Sequence, residues 1–344
     1  MADVARAAKV HQTTVSLALR NDPRLPEATR TRLRTLANSL GYRPDPMLSA
    51  LNFYRSSRDS VKAPPAMALV LRSRGAGPAS AYYPDDQFLK GARRAGERMG
   101  YRLVLFRESG GPGEGAHLSR ILRSRGIAGV IIGPLDTRIR ELPMDWEYFS
   151  ALCVESQHLG LSLHTVGNDQ SRVTRTAVRH LSALGYRRIG LAVGETDEAA
   201  LENPFTAGYL VELHGRRPDR MVPPLLLRPG ENATTPRELG AWIRRHRLDA
   251  VMSNWSSLPA MIRSAGLRVP QEVGVATLDH NPHVGPSAGI RQSHDLVGER
   301  AVEALALLMK TNQKGPIHLP NTTLVDGYWQ DGPDLPARMA RKAR

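Results

Sequence analysis

The sequence predicts an α/β protein in which a small N-terminal module of three helices precedes two α/β subdomains. Three observations lead there. Apolar residues recur at helical spacing through residues 1–43. From Ala66 onward, short β-branched runs alternate with amphipathic helical stretches, the order that builds parallel sheets covered by helices on both faces. Roughly ten strands are too many for one doubly wound unit, so the second part divides in two.

The first helix runs through Val4, Ala5 and Ala8 with Asp3 as its cap, and a turn at Ala8-Lys9-Val10 follows. Gln12 to Leu19 forms the second helix, with Val15 and Leu19 facing inward. Pro26 suits the first turn of a third helix, which buries Leu33, Leu36, Ala37 and Leu40 and stops at Gly41. Pro44-Asp45-Pro46 interrupts, a brief helical run Met47–Phe53 follows, and Arg55 to Pro65 is a polar linker. The expected strands are Ala66–Leu71, Arg102–Phe106, Gly129–Ile132, Ala151–Val154, Arg188–Val193, Ala250–Met252 and Val273–Thr277. Between them lie helices over Phe88–Gly100, Leu118–Gly126, Arg172–Gly185, Thr206–Leu213, Pro236–His246, Leu258–Gly266 and Leu296–Lys310.

Composition narrows the function. The 344 residues carry 47 Lys+Arg against 33 Asp+Glu, a formal net charge of +14, which makes a polyanion a serious candidate partner. Ten basic and five acidic residues fall within 1–60, and the C-terminal stretch adds Arg338, Arg341, Lys342 and Arg344 with no acid. No window approaches the ~18 apolar residues of a membrane span, and the first residues do not read as a secretory signal, so membrane insertion and secretion are not expected. Cys153 is the one cysteine, which excludes an intrachain disulfide and a Cys-based zinc site.

The chemistry is concentrated in Val10-His11-Gln12-Thr13-Thr14-Val15-Ser16, where short polar side chains open a helix whose other face is apolar. Residues 12, 13, 16, 17 and 20 share the exposed face. A helix that meets base edges in the major groove needs such side chains: Gln12 can read adenine with two hydrogen bonds, and Thr13 and Ser16 can bond a base or a phosphate. A plain three-helix packing module with a polar face is the alternative.

The residues themselves decide between these. Asp3-Val4-Ala5, Val10, Thr14-Val15-Ser16, Pro23-Arg24, Thr29-Arg30 and Leu40-Gly41-Tyr42-Arg43-Pro44 resemble the N-terminal domain of the lactose-repressor (LacI/GalR) family. The resemblance continues through Leu184-Gly185-Tyr186-Arg187-Arg188-Ile189-Gly190, Val269-Pro270 with Val273-Gly274-Val275-Ala276, and Val297-Gly298, Ala301-Val302 and Leu305. It implies a helix-turn-helix DNA-binding domain at 1–43 and a hinge helix and linker at 44–64. A two-lobed, Rossmann-like effector domain of the periplasmic-binding-protein type I fold follows at 65–330, with a basic tail at 331–344. The first lobe would comprise 65–165 and 292–320, and the second 166–291 and 321–330.

By this resemblance Gln12, Thr13, Thr14, Ser16, Leu17 and Arg20 contact DNA from the recognition helix, and Thr29 and Arg30 contact phosphates. Leu51 falls at the hinge leucine that wedges into the central base step, the alternative being a plain core leucine. Lys9 replaces a usual turn glycine, Leu17 a frequent arginine and Ser49 a frequent hinge arginine. His11 stands where serine usually caps the helix, which weakens that cap. The residues usually ahead of Asp3 are missing, which implies initiation upstream of Met1.

For the cleft, Asp279 and Asn254 align with ligand-lining positions, and Asp169 stands as either a helix cap or a ligand contact. Tyr82, Tyr83, Phe205 and Trp255 are either cleft walls or core packing. The segment Asn203 to Tyr209 lacks the arginine that sugar-binding members carry before A-G-(F/Y). The resemblance thus implies a cytoplasmic, homodimeric transcriptional regulator, in the commonest case a repressor, bound to a pseudo-palindromic operator in double-stranded DNA. Its operator affinity answers to a small-molecule effector, a sugar or sugar derivative being the family's commonest. No cofactor, metal, membrane or catalytic residue is expected. Gly75-Ala76-Gly77 and Gly110-Gly111-Pro112-Gly113 match no phosphate-binding fingerprint, and His280 and His283 have no supporting acid cluster.

Overall fold

The computed structural model describes residues 1–19, 22, 24–42, 64–72, 85–108, 113–135, 139, 141–216, 221–280, 287–333 and 335–338. Its N-terminal module comprises α1 (Ala2–Ala8), α2 (Gln12–Leu19) and α3 (Glu27–Ser39). Val4, Ala5, Val15, Ala18, Leu33 and Ala37 form a small buried core where the three helices meet. Asp3 is not the cap of α1, which begins at Ala2; it lies in the first turn and pairs with Arg6 at 3.4 Å. Leu40, expected inside, is 50% exposed, because α3 ends at Ser39 and Gly41 turns the chain at φ 65°. The Tyr42 amide then donates to the Ala37 carbonyl at 2.9 Å, a closing bond that requires the left-handed glycine.

Two six-stranded sheets make up the remainder. The first contains β1 (Ala66–Arg72), β2 (Arg102–Glu108), β3 (Gly129–Ile132), β4 (Ser150–Val154), β5 (His164–Asn168) and β11 (Thr322–Val325). Their order is β11-β5-β4-β3-β1-β2 and every pairing is parallel. The second contains β6 (Ile189–Gly194), β7 (Leu225–Leu227), β8 (Ala250–Ser253), β9 (Gly274–Thr277), β10 (Gly289–Arg291) and β12 (Tyr328–Gln330). Its order is β12-β10-β9-β8-β6-β7, parallel except for β12 against β10. Strands such as Gly129–Ile132 and Ser150–Val154 are buried throughout, as expected of a parallel sheet covered on both faces.

The helices that cover the first sheet include α4 (Asp85–Arg98), α5 (Glu114–Ser124) and α11 (His294–Lys310). Those of the second include α6 (Gln170–Ala183), α7 (Glu195–Ala200), α8 (Pro204–Arg216), α9 (Pro236–His246) and α10 (Leu258–Ser264). In the first lobe, Phe88, Leu89, Ala92 and Ala95 of α4 share one core with Val297, Ala301, Val302 and Leu305 of α11. Two glycines let these helices touch through their backbones: a Cβ on Gly91 would collide with the Asp295 carbonyl, and one on Gly298 with the Phe88 carbonyl. Arg94 bridges from α4 to Glu299 of α11 beside this crossing.

Two expected boundaries are corrected. Residues 321–330 do not all belong to the second lobe: Thr322–Val325 pairs with β5 in the first sheet, and only Tyr328–Gln330 joins the second. Thr322, Thr323 and Leu324 are exposed along a sheet edge, so no apolar run announced this strand. Residues 331–344 are not simply a tail either. Leu335 is 5% exposed in the second-lobe core, the Arg338 amide donates to Leu184 at 2.8 Å, and its guanidinium lies 4.9 Å from the Tyr186 ring centre. Arg338 is thus held by packing as well as charge, and residues 339–344 lie outside the described part. Among the described residues no helix is long and apolar enough to cross a membrane.

The chain passes between lobes three times, after β5, after β10 and after β11, and the three passages lie side by side. Gln170 and Gln292 exchange two amide hydrogen bonds at 3.1 and 2.9 Å, both side chains buried. The Asp169 amide donates to the Val325 carbonyl at 2.9 Å, and Arg172 pairs with Asp326 at 3.2 Å. Both lobes are therefore tied at one hinge.

Candidate nucleic-acid interface and interlobe cleft

The turn between α1 and α2 carries Lys9 in the left-handed region, at φ 52° and ψ 45°, the conformation that a glycine would adopt without strain. The backbone of the expected turn is thus kept without the expected residue. His11 then precedes α2 at the capping position. Its Nδ1 accepts the Thr13 backbone N–H at 3.3 Å, so the cap that serine would supply is supplied by imidazole, and the expected weakness is offset. Beyond it, Gln12 and Thr13 are exposed, while Thr14, Ser16 and Leu17 are half-buried on the flank of the same helix. Thr29 and Arg30 lie in the first turn of α3, both half-buried, with their amides donating to Pro26 at 3.0 Å. Arg20 and Leu51 lie outside the described residues.

The second candidate site forms where the C-terminal ends of strands from both sheets meet, the usual position for a ligand crevice in parallel α/β folds. Asp279, just past β9, receives Nε2 of His294 at 3.0 and 3.1 Å on its two carboxylate oxygens. Nδ1 of His294 lies 3.3 Å from the Asn168 amide nitrogen, at the end of β5. Asn168 in turn donates from its backbone and side chain to Glu155 Oε1, at 2.7 and 3.0 Å. A continuous polar chain thus links the second lobe to the first, and all four side chains are buried.

The electrostatics of this chain follow from burial. Burial alone drives the proton off His294, but Asp279, with Glu155 and Asp295 behind it, holds the imidazole above its ordinary value. Burial lifts the Glu155 carboxyl above its usual range, against the pull of His294 and the Asn168 hydrogen bonds. Glu155 also has φ 48°, an uncommon conformation for a residue with a Cβ. Gly167 makes room for it, since a Cβ there would lie 2.8 Å from Glu155 Cγ.

A second cluster lies at the ends of β6 and β8. Asn254 accepts the Gly194 amide at 3.1 Å and donates to Asp197 at 2.6 Å, so its side chain orders the α7 turn. The Trp255 indole nitrogen, one Glu198 carboxylate oxygen, the Asn168 carbonyl oxygen and both His280 ring nitrogens are buried without hydrogen-bond partners among the described residues. Unsatisfied buried polar atoms are costly, and these lie at or just past the C-terminal ends of β5, β6, β8 and β9.

Glu198, 1% exposed, accepts the Thr206 amide at 2.8 Å, and burial lifts its carboxyl to about 7, with Asp197 adding to the lift. The folded protein therefore binds this proton more tightly than the unfolded chain, and stability is lost as pH rises from about 4.3, the unfolded value, through about 7. Glu198→Gln keeps the acceptor and removes the ionisation. Urea midpoints for the two proteins should agree near pH 4.5 and separate by pH 8, where the variant gains on the order of 2 kcal/mol. Separation that does not grow with pH would dismiss the ionisation.

The structure brings together Asp279 and the hinge, and Asn254 and Trp255 one strand away. Phe205 is buried in the second-lobe core with Tyr209 and Leu213, on the packing side of its two readings. Asp169 caps α6, its Oδ1 accepting the Arg172 amide at 2.8 Å. Tyr82 and Tyr83 lie outside the described residues. Sequence reasoning missed Glu155, His294, Asp197 and Glu198; their one signal is a position just beyond a strand or at a helix start, Glu155 after β4, Asp197 and Glu198 after β6, and His294 after the short β10, which no apolar run announces. Cys153 is buried and its thiol is pushed up to about 12, which keeps it protonated. Among the described residues no group of three or more His, Cys, Asp or Glu could hold a metal ion.

A three-helix module whose second helix has a polar face, followed by two hinged α/β lobes, defines a helix-turn-helix protein carrying a periplasmic-binding-protein-like domain. The model of bacterial regulatory proteins of the lacI family matches residues 1–45. That of periplasmic binding proteins and the sugar-binding domain of the LacI family matches 69–222, and that of the periplasmic binding protein-like domain matches 178–328. The chain belongs to the LacI family of bacterial regulatory proteins.

The chain is 30% identical over 202 residues to the HTH-type transcriptional regulator PtxS of Pseudomonas plecoglossicida, covering 57% of this chain and 53% of that protein. It is 26% identical over 310 residues to the transcriptional repressor CytR of Escherichia coli strain K12, covering 81% and 80%. The matched part spans 53–60% of the length of the first curated relatives. Among solved structures, a CelR–cellobiose complex superposes with a TM-score of 0.60 at 20% identity, covering 96% of this chain and 98% of that one. A lac repressor dimer bound to operator and the anti-inducer ONPF superposes with a TM-score of 0.57 at 19% identity, covering 97% and 98%.

Proposed function

We propose that this protein is a cytoplasmic, homodimeric transcription factor that reads a pseudo-palindromic operator and whose grip answers to a small molecule held between its lobes. The observation that carries the reading is the pairing of an exposed polar helix start, Gln12 and Thr13, with unsatisfied buried polar atoms at the strand ends of two hinged lobes. A two-fold dimer presents two such helices about one helical turn apart, which matches an inverted repeat. The net charge of +14 supplies the sequence-independent attraction to phosphate.

Each DNA contact takes a role by position. Gln12, Thr13 and Ser16 serve the base edges, with Thr14, Leu17 and Arg20 beside them, and Thr29 and Arg30 fix register on the backbone. Leu51 wedges the central step, so Leu51→Ala reduces DNA bending and leaves effector binding intact. A molecule in the crevice competes with His294 for Asp279 and satisfies Trp255 and His280, biasing the two lobes toward one closure. That closure couples the crevice to the operator site through one bistable element. A sugar or sugar derivative suits these acceptors and the indole N–H, as in the structural neighbour solved as a cellobiose complex. The reading assigns binding, not turnover, to the crevice.

Selection of bound sequences from random duplex DNA at physiological salt tests it. The full-length protein should enrich an inverted repeat, and the chain without residues 1–60 should enrich none. Equal enrichment by both would reject the assignment of DNA reading to the N-terminal module.

A further inference from the structure

The start of α2 holds a side-chain contact that capping alone does not account for. His11 Nδ1 lies 2.7 Å from the Thr13 hydroxyl oxygen as well as 3.3 Å from the Thr13 backbone nitrogen. A backbone N–H can only donate, so Nδ1 must be the unprotonated ring nitrogen and Nε2 carries the hydrogen. The hydroxyl at 2.7 Å must then donate to Nδ1 too, because an unprotonated nitrogen has nothing to give it. A hydroxyl has one hydrogen. With that hydrogen committed, the exposed Thr13 side chain has only acceptor lone pairs left.

We propose that His11 is a positioning residue that sets the base preference of Thr13, making it an acceptor-only reader that selects cytosine N4–H or adenine N6–H in the major groove. This rests on the reading of α2 as the base-contacting helix. A free threonine hydroxyl serves either donor or acceptor bases by rotating; the imidazole removes that freedom and disfavours guanine and thymine, which offer acceptors at the corresponding edge. The same geometry leaves Nε2–H as a donor matched to a phosphate oxygen. The substitution that looks like a lost serine cap is therefore also a specificity device.

The test is selection of bound duplexes with the full-length chain and the variants Thr13→Val, His11→Ala and His11→Asn. The wild type should restrict one half-site position to adenine or cytosine by roughly tenfold. Thr13→Val should abolish that restriction. His11→Ala should relax it to about twofold, admitting guanine and thymine, while His11→Asn, whose amide oxygen can both cap the helix and accept the hydroxyl, should restore it. If His11→Ala weakens all duplexes alike and keeps the same preference, His11 is a cap only and the proposal is overturned. A Thr13→Val protein with an unchanged half-site would overturn it by removing Thr13 from base reading. Failure of the wild type to enrich any repeat would instead reject the DNA-reading function itself.

Discussion

Replacing His294 with leucine is expected to destabilise the protein by about 3–5 kcal/mol near neutral pH, the cost of removing one partner from a buried ionic pair. Two acidic side chains answer to this imidazole: Asp279 from the second lobe, through Nε2 at 3.0 Å, and Glu155 from the first, by charge alone. Leucine fills a similar volume but leaves both carboxylates buried with no counter-charge, and the protein must then bury an anion or bind a proton. The sign with pH follows. In the wild type the pairing contributes fully below the ordinary histidine value, about 6.5, and is lost as pH rises through the raised value of His294. The deficit should therefore shrink as pH rises through the raised value of His294, read from urea unfolding at a series of pH values. Adding Asp279→Asn to His294→Leu should restore part of the loss, whereas additive losses would mean that the two side chains do not act as a pair.

Gly298→Leu is expected to cost about 3 kcal/mol or more, at the upper end of overpacking in a core. At most core positions an extra group can be accommodated by rotating side chains. Here a Cβ would meet the Phe88 carbonyl oxygen, with the Ala92 amide nitrogen at 2.8 Å, so only a displacement of α4 relative to α11 can make room. That displacement would separate Leu89 and Ala92 from Val302 and Leu305 and carry with it the start of α11, where His294 sits. Gly298→Ala should already lose stability, and leucine more. Gly215 in α8 is the control: a Cβ there meets nothing within 4 Å, and alanine should stabilise by about 0.5–1 kcal/mol through helix propensity. Equal responses at the two glycines would show that the α4–α11 crossing is not tight.

Much of this architecture is legible in the order of residues. The apolar positions Val4, Val15, Leu33 and Ala37 mark three helices and their shared face, and Gly41 marks where the third ends. Buried central strands such as Gly129–Ile132 announce themselves as continuous apolar runs. Edge and hinge strands do not. His164–Asn168 and Thr322–Val325 contain polar residues because they end at the hinge or lie at a sheet edge, and periodicity has nothing to detect in them.

Short-range patterns specify the class of the protein: helix starts, buried strands and the polar face of α2 depend on neighbours within one or two turns. The tasks of the polar residues are set by long-range packing. Asp279 and His294 lie fifteen residues apart and Asn168 and His294 one hundred and twenty-six, and their hydrogen bonds exist because three chain passages converge at one hinge. The imidazole of His11 becomes a cap and a proton acceptor because the left-handed turn at Lys9 and the start of α2 place it against Thr13. A charge or hydrogen bond takes its value from what surrounds it, and burial and distance are set by packing, not by residue type.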